Sequence, residues 1–228
     1  MRKVLMGLGL IIIVAAIFSG ALAPQLAAGF FKAKIMTGLS TDDVQVDVAA
    51  SPPQAVLWGE LAGLKAVAHQ AKIGDVYMSQ IDLNAKEVRL DMLSLFDGSL
   101  KVNSAESLLV KGYVTEENLR ELISRKVDKL EDIAVKITPQ GVTITAAAKI
   151  MGRKVEVELE GAVLDEEGAI YFRVKNLRLT NSLIGTAKID SLRLMDDIML
   201  TDSSKLPLEA SFKDVTMKEG KIIITAER

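Results

Sequence analysis

The residues that could carry out chemistry in this sequence are few and scattered. His69 is the only histidine, and cysteine is absent. A lone histidine cannot form a multi-histidine metal site, and a chain without cysteine has no thiol nucleophile, disulfide or thiolate metal site. His69 lies on a predicted strand with Ala71 and Ile73 on its own face, so we interpret it as a half-buried structural side chain rather than a base.

The acidic clusters occur where the chain is expected to turn. They are Asp42-Asp43, Asp165-Glu166-Glu167 and Asp196-Asp197. Turn chemistry explains these residues, and no convergent acid, base or nucleophile accompanies them. The sequence also has no Gly-Xaa-Ser-Xaa-Gly elbow and no Walker-type phosphate loop. We therefore predict a protein that is not an enzyme and has no cofactor or metal, and an unrecognised hydrolase is the least favoured reading.

Composition also limits the partners. The 228 residues include 28 Lys and Arg against 30 Asp and Glu, and aromatic residues make up 4%. Nucleic-acid binding needs clustered basic residues or aromatic stacking platforms, and neither is present. We therefore exclude nucleic acid as a partner.

The N-terminus carries a membrane-targeting pattern. Arg2 and Lys3 precede an uncharged run over residues 4–23, which is long enough to cross a bilayer as a helix. Pro24 directly follows the small residues of a possible cleavage site, which favours an uncleaved signal anchor in the cytoplasmic membrane over a cleaved signal peptide. Both alternatives place the rest of the chain outside the cytoplasm, in the cell envelope or secreted.

The segment that follows, residues 24–40, is predicted to be an amphipathic helical linker. Leu26, Phe30, Ile35 and Leu39 recur near helical spacing. This helix would dock on the folded domain or lie on the membrane surface. The folded domain is predicted over residues 41–228.

The centre of that domain is a predicted meander over residues 133–179. Apolar residues occupy every second position of four successive segments, which indicates an antiparallel sheet with one apolar and one charged face. The charged face carries an acidic stripe from Glu156 to Glu160. We expect Arg173 and Lys175 on the next strand to pair with that stripe.

A helix over residues 115–130 is predicted to pack against or inside this sheet. Thr115 can cap it, acidic residues occupy its first turn, and lysines lie towards its end. Its apolar stripe includes Leu119, Leu122 and Ile123. Further strands are predicted around it, namely 44–48, 64–73, 76–92 with a bulge near Lys86-Glu87, 108–114 and a closing hairpin over 212–225.

The order of these features resembles the LmeA-like phospholipid-binding family. The resemblance rests on the N-terminal apolar segment, the strand 44–48, Pro53 with Val56-Leu57 and Gly59, Val114-Thr115 with Leu119, Gly141, Gly168, and Leu206-Pro207 before Gly220. It covers most of residues 44–226. By analogy with tubular lipid-binding modules, it implies an α+β fold in which a long, strongly twisted antiparallel sheet wraps an amphipathic helix as a half-barrel, after an N-terminal apolar helix.

The resemblance implies that the protein binds or transfers a phospholipid or a lipid-linked intermediate in the cell envelope. A smooth apolar wall can hold alkyl chains by buried area alone, at ~25 cal/mol per Å². The candidate wall residues are Val135, Ile137, Val142, Ile144, Val157, Leu159, Phe172 and Val174 on the sheet, with Leu119, Leu122 and Ile123 on the helix. The alternative is an envelope structural or interaction protein in which these residues form a fully packed core, and which recruits a protein partner.

Overall fold

A computed structural model describes residues 23–96, 101–127, 130–150, 153–181, 185–190, 198–206 and 210–228. The helices are α1 (Ala23–Leu39), α2 (Met92–Phe96) and α3 (Glu116–Lys126), with 3-10 helices at Pro53–Trp58 and Ser203–Lys205. The strands are β1 (Asp43–Ala49), β2 (Glu60–Ile73), β3 (Val76–Leu90), β4 (Val102–Ser104), β5 (Ser107–Thr115), β6 (Leu130–Thr138), β7 (Gly141–Ile150), β8 (Arg153–Glu166), β9 (Ala169–Asn181), β10 (Gly185–Asp190), β11 (Ile198–Asp202), β12 (Ser211–Lys218) and β13 (Lys221–Glu227). The predicted N-terminal apolar helix and the turn at Asp196-Asp197 lie outside these residues.

The strands form two sheets. The first has the order β1-β2-β3-β5-β13-β12, with β4 paired to β3, and the second has the order β10-β9-β8-β7-β6, with β11 paired to β9. The second sheet is antiparallel and curls into a half-barrel. The predicted α+β fold with an antiparallel half-barrel sheet is therefore confirmed, although the strands form two sheets rather than one.

The chain divides into two compact units. The first contains α1, β1, the 3-10 helix Pro53–Trp58, most of β2, the end of β3, α2, β4 and the start of β5. The second contains the β2–β3 turn with the strand ends beside it, the end of β5, α3 and β6 to β13.

In the first unit, α1 packs against β1 and the 3-10 helix. The prediction of a helix here is confirmed, but its predicted apolar face is wrong. Leu26 is exposed, whereas Ala23 and Phe31 are buried. Apolar residues are spread around α1, so it lacks the single stripe of an amphipathic helix.

Bulges in β2 and β3 switch which positions face the core. Buried residues in β2 change from even to odd numbers across Gln70, which has φ +49°. The predicted shared face of His69 and Ala71 is therefore wrong, although His69 is half-buried as expected. The predicted bulge in β3 is confirmed, since Glu87 has φ +47° and burial passes from Ala85 to Val88.

In the second unit, α3 begins as predicted and ends earlier. The hydroxyl of Thr115 accepts the N–H of Asn118 at 3.3 Å, and the Asn118 side chain accepts the Thr115 N–H at 3.2 Å, a reciprocal cap. The helix ends at Lys126, and Leu130 is instead the first residue of β6, paired with Ala148.

The closing hairpin β12–β13, also predicted, contributes to the core of the second unit. Ile222, Ile224 and Ala226 of β13 are buried. Strand β12 lies against both β6 and β8.

Candidate functional site

Strand register brings the predicted wall residues onto one face of the second sheet, called here the apolar face. One row across β6 to β9 is Val135, Ile144, Leu159 and Leu177, and the next is Ile137, Val142, Gly161 and Val174. Two further rows are Ala146, Val157 and Leu179, then Leu130, Ala148 and Val155. All eight predicted sheet residues belong to this face, because Phe172 pairs with Val163, two places beyond Gly161.

Sequence reasoning missed Leu177 and Leu179. The register shifts between Glu160 and Gly161, so that Lys175 has no partner on β8. Before the bulge, the even-numbered residues Phe172 and Val174 face the apolar side. After it, the odd-numbered Leu177 and Leu179 do, because one extra residue reverses the alternation. The signal was present in the sequence as a resumed alternation with opposite parity.

Most of the predicted wall is closed. Ile137, Val142, Ile144, Leu159 and Phe172 are at most 3% exposed, as are Leu119, Leu122 and Ile123 of α3. Val157 is 7% exposed, and Val135 and Val174 are half-buried. The borders of the face, which include Leu177 and Leu179, are also half-buried.

One end of the apolar face, the Ile137 end, comprises the row that contains Ile137 and the adjoining Phe172. The Ile137 N–H donates to the carboxylate of Glu116 on α3 at 2.9 Å. Its carbonyl accepts the N–H of Gly220, in the β12–β13 turn, at 3.0 Å. Two other elements are therefore tied to the same residue of the edge strand β6.

Gly161 is required for packing at this end. A Cβ at Gly161 would lie 2.4 Å from the carbonyl oxygen of Arg173 and 2.7 Å from the Phe172 ring. The ring of Phe172 therefore fills the space that a side chain would need.

The opposite end, the Val155 end, comprises the rows of Ala146 and Ala148, with Val157 and Val155. A bulge interrupts β6 between Glu131 and Ala134, and Asp132 in it has φ +54°. Besides their backbone pairing, the strands here carry two exposed ion pairs, Lys149–Glu131 at 3.0 Å and Lys154–Asp132 at 2.9 Å. Exposed pairs of this kind contribute little to stability.

Arg178 supports the charged face. It contacts Glu158 at 3.4 Å and Glu160 at 3.2 Å. The predicted pairing of the stripe with Arg173 is wrong, because Arg173 binds Glu166 at 2.6 Å. The Lys175 bulge is the reason, since it places Arg178 directly opposite Glu158.

A cavity of about 300 Å³ opens on this charged face at the Val155 end. Its lining residues are Asp132, Thr145, Ala146, Ala147, Lys154, Glu156, Val157, Glu158 and Thr180. The hydrogen bond and charge of Asp132 raise the pKa of Lys154 above its ordinary value, so the ammonium at the rim stays charged. This lining suits a polar group or water rather than an alkyl chain.

The described residues also limit other chemistry. They contain no group of three or more His, Asp or Glu side chains able to hold a metal ion. No described helix combines the length and apolar character needed to cross a bilayer.

The family comparison agrees with the resemblance seen in the sequence. The family model described as LmeA-like phospholipid-binding matches residues 17–227. Neither the curated proteins nor the solved structures gave a match.

Proposed function

We propose that this chain, which belongs to the LmeA-like phospholipid-binding family, is an exported, membrane-associated protein that holds or transfers a phospholipid or a lipid-linked intermediate in the cell envelope. The proposal assigns no catalytic residue. Residues 4–23 would anchor it in the cytoplasmic membrane, or would be cleaved on secretion.

The observation that carries the lipid proposal is the unequal closure of the apolar face. Four strands present a continuous apolar surface, on which Ile137, Val142 and Phe172 at the Ile137 end are at most 1% exposed. At the Val155 end, Ala146, Ala148, Val155 and Val157 are 7–9% exposed. Leu179 in the same rows and Leu177 in the adjoining row are half-buried. An acyl chain would enter at the Val155 end by displacing the side chains of Leu177 and Leu179. The apolar surface area that it buries would supply the affinity.

A phospholipid with a photoactivatable group in its acyl chain tests this proposal in the full chain. We expect cross-links on peptides of β7 that include Ala146 or Ala148, and on peptides of β8 and β9 that include Val157, Leu177 or Leu179. Ala148→Phe should fill the Val155 end and reduce cross-linking several-fold, whereas Thr145→Phe on the charged face should not. Cross-links confined to residues 1–40 would contradict the proposal.

A second function, an envelope structural or interaction protein with a packed core, is favoured by the low exposure of the wall. Eight of the eleven predicted residues, including the three on α3, are at most 3% exposed. Absence of bound lipid in native mass spectra of the chain, together with no cross-links on β7 to β9, would support this function instead.

A further inference from the structure

Three large apolar side chains are exposed together in the first unit. Leu57, Trp58 and Leu93 are 38%, 69% and 75% exposed, and we call this group the Trp58 tip. Trp58 is the only tryptophan in the chain. A grouped set of exposed apolar side chains marks an interaction surface more often than scattered single ones do.

The backbone holds the tip together. Gly59 ends the 3-10 helix with φ +80°, and its carbonyl accepts the N–H of Leu90 at 2.8 Å. A Cβ at Gly59 would lie 2.8 Å from the Leu90 carbonyl oxygen and 3.0 Å from the Met92 side chain. The segments that carry Trp58 and Leu93 are therefore neighbours, since Gly59 meets Leu90 and Met92.

We propose that the Trp58 tip inserts into the interfacial layer of a phospholipid bilayer. Tryptophan is suited to this layer, because its apolar rings enter the acyl region while its N–H stays with water or headgroups. The leucines on either side would add apolar area at the same depth.

The size of the tip favours a bilayer over a protein. Even an aromatic side chain buries only roughly 150–250 Å². Three side chains fall short of the roughly 800 Å² per partner that a stable protein–protein interface buries. A bilayer needs no complementary shape, so a few side chains can add to binding that another segment supplies.

The chain itself supplies such a segment beside the tip. Helix α1 lies against the 3-10 helix that carries Trp58, and it directly follows the uncharged run over residues 4–22. A membrane-embedded run would hold the first unit near the surface. The inference rests on the membrane anchor of the proposed function. It does not depend on the lipid site proposed for the second sheet.

The single tryptophan makes a direct test possible. The full chain is reconstituted into phosphatidylcholine vesicles with and without brominated acyl chains, and Trp58 emission is recorded. We expect a blue-shifted emission, at least a twofold quenching by brominated lipid, and several-fold weaker quenching by aqueous iodide than for the control. The control is Trp58→Phe combined with Gln45→Trp, which moves the reporter to an exposed position of β1 in the same unit.

Two results would overturn the inference. Iodide quenching equal to that of the control would place Trp58 in water. Protection from both iodide and brominated lipid would show that a protein or a second copy covers the tip. The photo-cross-linking of β7 to β9 reports on the proposed lipid site separately, so either idea can fail while the other holds.

Discussion

The two ends of the apolar face share the same four strands but are closed by different means. At the Ile137 end, both backbone groups of Ile137 are bonded to other elements, and the Phe172 ring packs against Gly161. At the Val155 end, β6 bulges at Asp132, and the side-chain ties between strands are exposed ion pairs. The strand pattern alone therefore does not decide whether an apolar face is core or binding surface. The elements that close it do.

Placing a charge at each end of the apolar face should give the largest difference in folding between two variants. Val142→Glu, at the Ile137 end, puts an unpaired carboxylate where the wild-type side chain is 1% exposed, and we expect it to abolish cooperative folding. Val157→Glu, where the wild-type side chain is 7% exposed at the proposed entrance, should fold and lose lipid cross-linking. Thermal unfolding by circular dichroism shows whether each variant folds, and photo-cross-linking measures lipid binding. Equal unfolding of the two variants would show that the whole face is core.

Gly161→Ala should be the next most damaging change. The added methyl group would collide with the Arg173 carbonyl and the Phe172 ring, at an expected cost of about 3 kcal/mol. Gly63→Ala is the matched control, since its Cβ would meet nothing closer than 3.8 Å. Denaturant unfolding of both variants gives the difference. Equal stability of the two would mean that the Phe172 ring moves aside easily and that the Ile137 end is not rigid.

Glu116→Ala removes one of the two ties at Ile137. The Ile137 N–H loses its acceptor, so we expect a loss of about 1–2 kcal/mol. Glu121→Ala, at an exposed position of the same helix, is the control and should change little. Hydrogen exchange at the Ile137 amide provides a local measurement. Unchanged exchange there would show that α3 does not fasten this end.

Much of the second sheet could be predicted from sequence because its alternation is long and regular. The wall residues of β6 to β8 share a face as expected, since nothing disturbs the register from Val135 to Leu159. Leu177 and Leu179 were missed because one bulged residue reverses the parity of β9. The pairing of Arg173 failed for the same reason.

Closure of the face could not be read from the sequence, because it depends on contacts between distant segments. Gly220 binds Ile137 across more than eighty residues, and no local pattern reports such a bond. The exposed tip was also missed. Leu57 and Trp58 look like ordinary apolar residues of a short helix, and only the contact of Gly59 with Leu90 brings them to Leu93.

The smallest effect is expected from Lys154→Met, which removes an ion pair at the Val155 end. Both side chains are at least 60% exposed, so unfolding at pH 7 should change little. Asp132 raises the pKa of Lys154 above 10.5. The pair's contribution is therefore complete below that pH and disappears as the pH rises through the folded-state pKa, where variant and wild type should converge.

Thermal unfolding at pH 7 and pH 11 measures this change, with Lys154→Arg as the control that keeps the charge. A loss at pH 7 as large as that of Glu116→Ala would mean that ion pairs hold the Val155 end as firmly as the backbone ties hold the Ile137 end. The two ends would then be equally closed, and an acyl chain would have no preferred entrance. A negligible loss leaves the Val155 end closed mainly by small apolar side chains, which a lipid can displace.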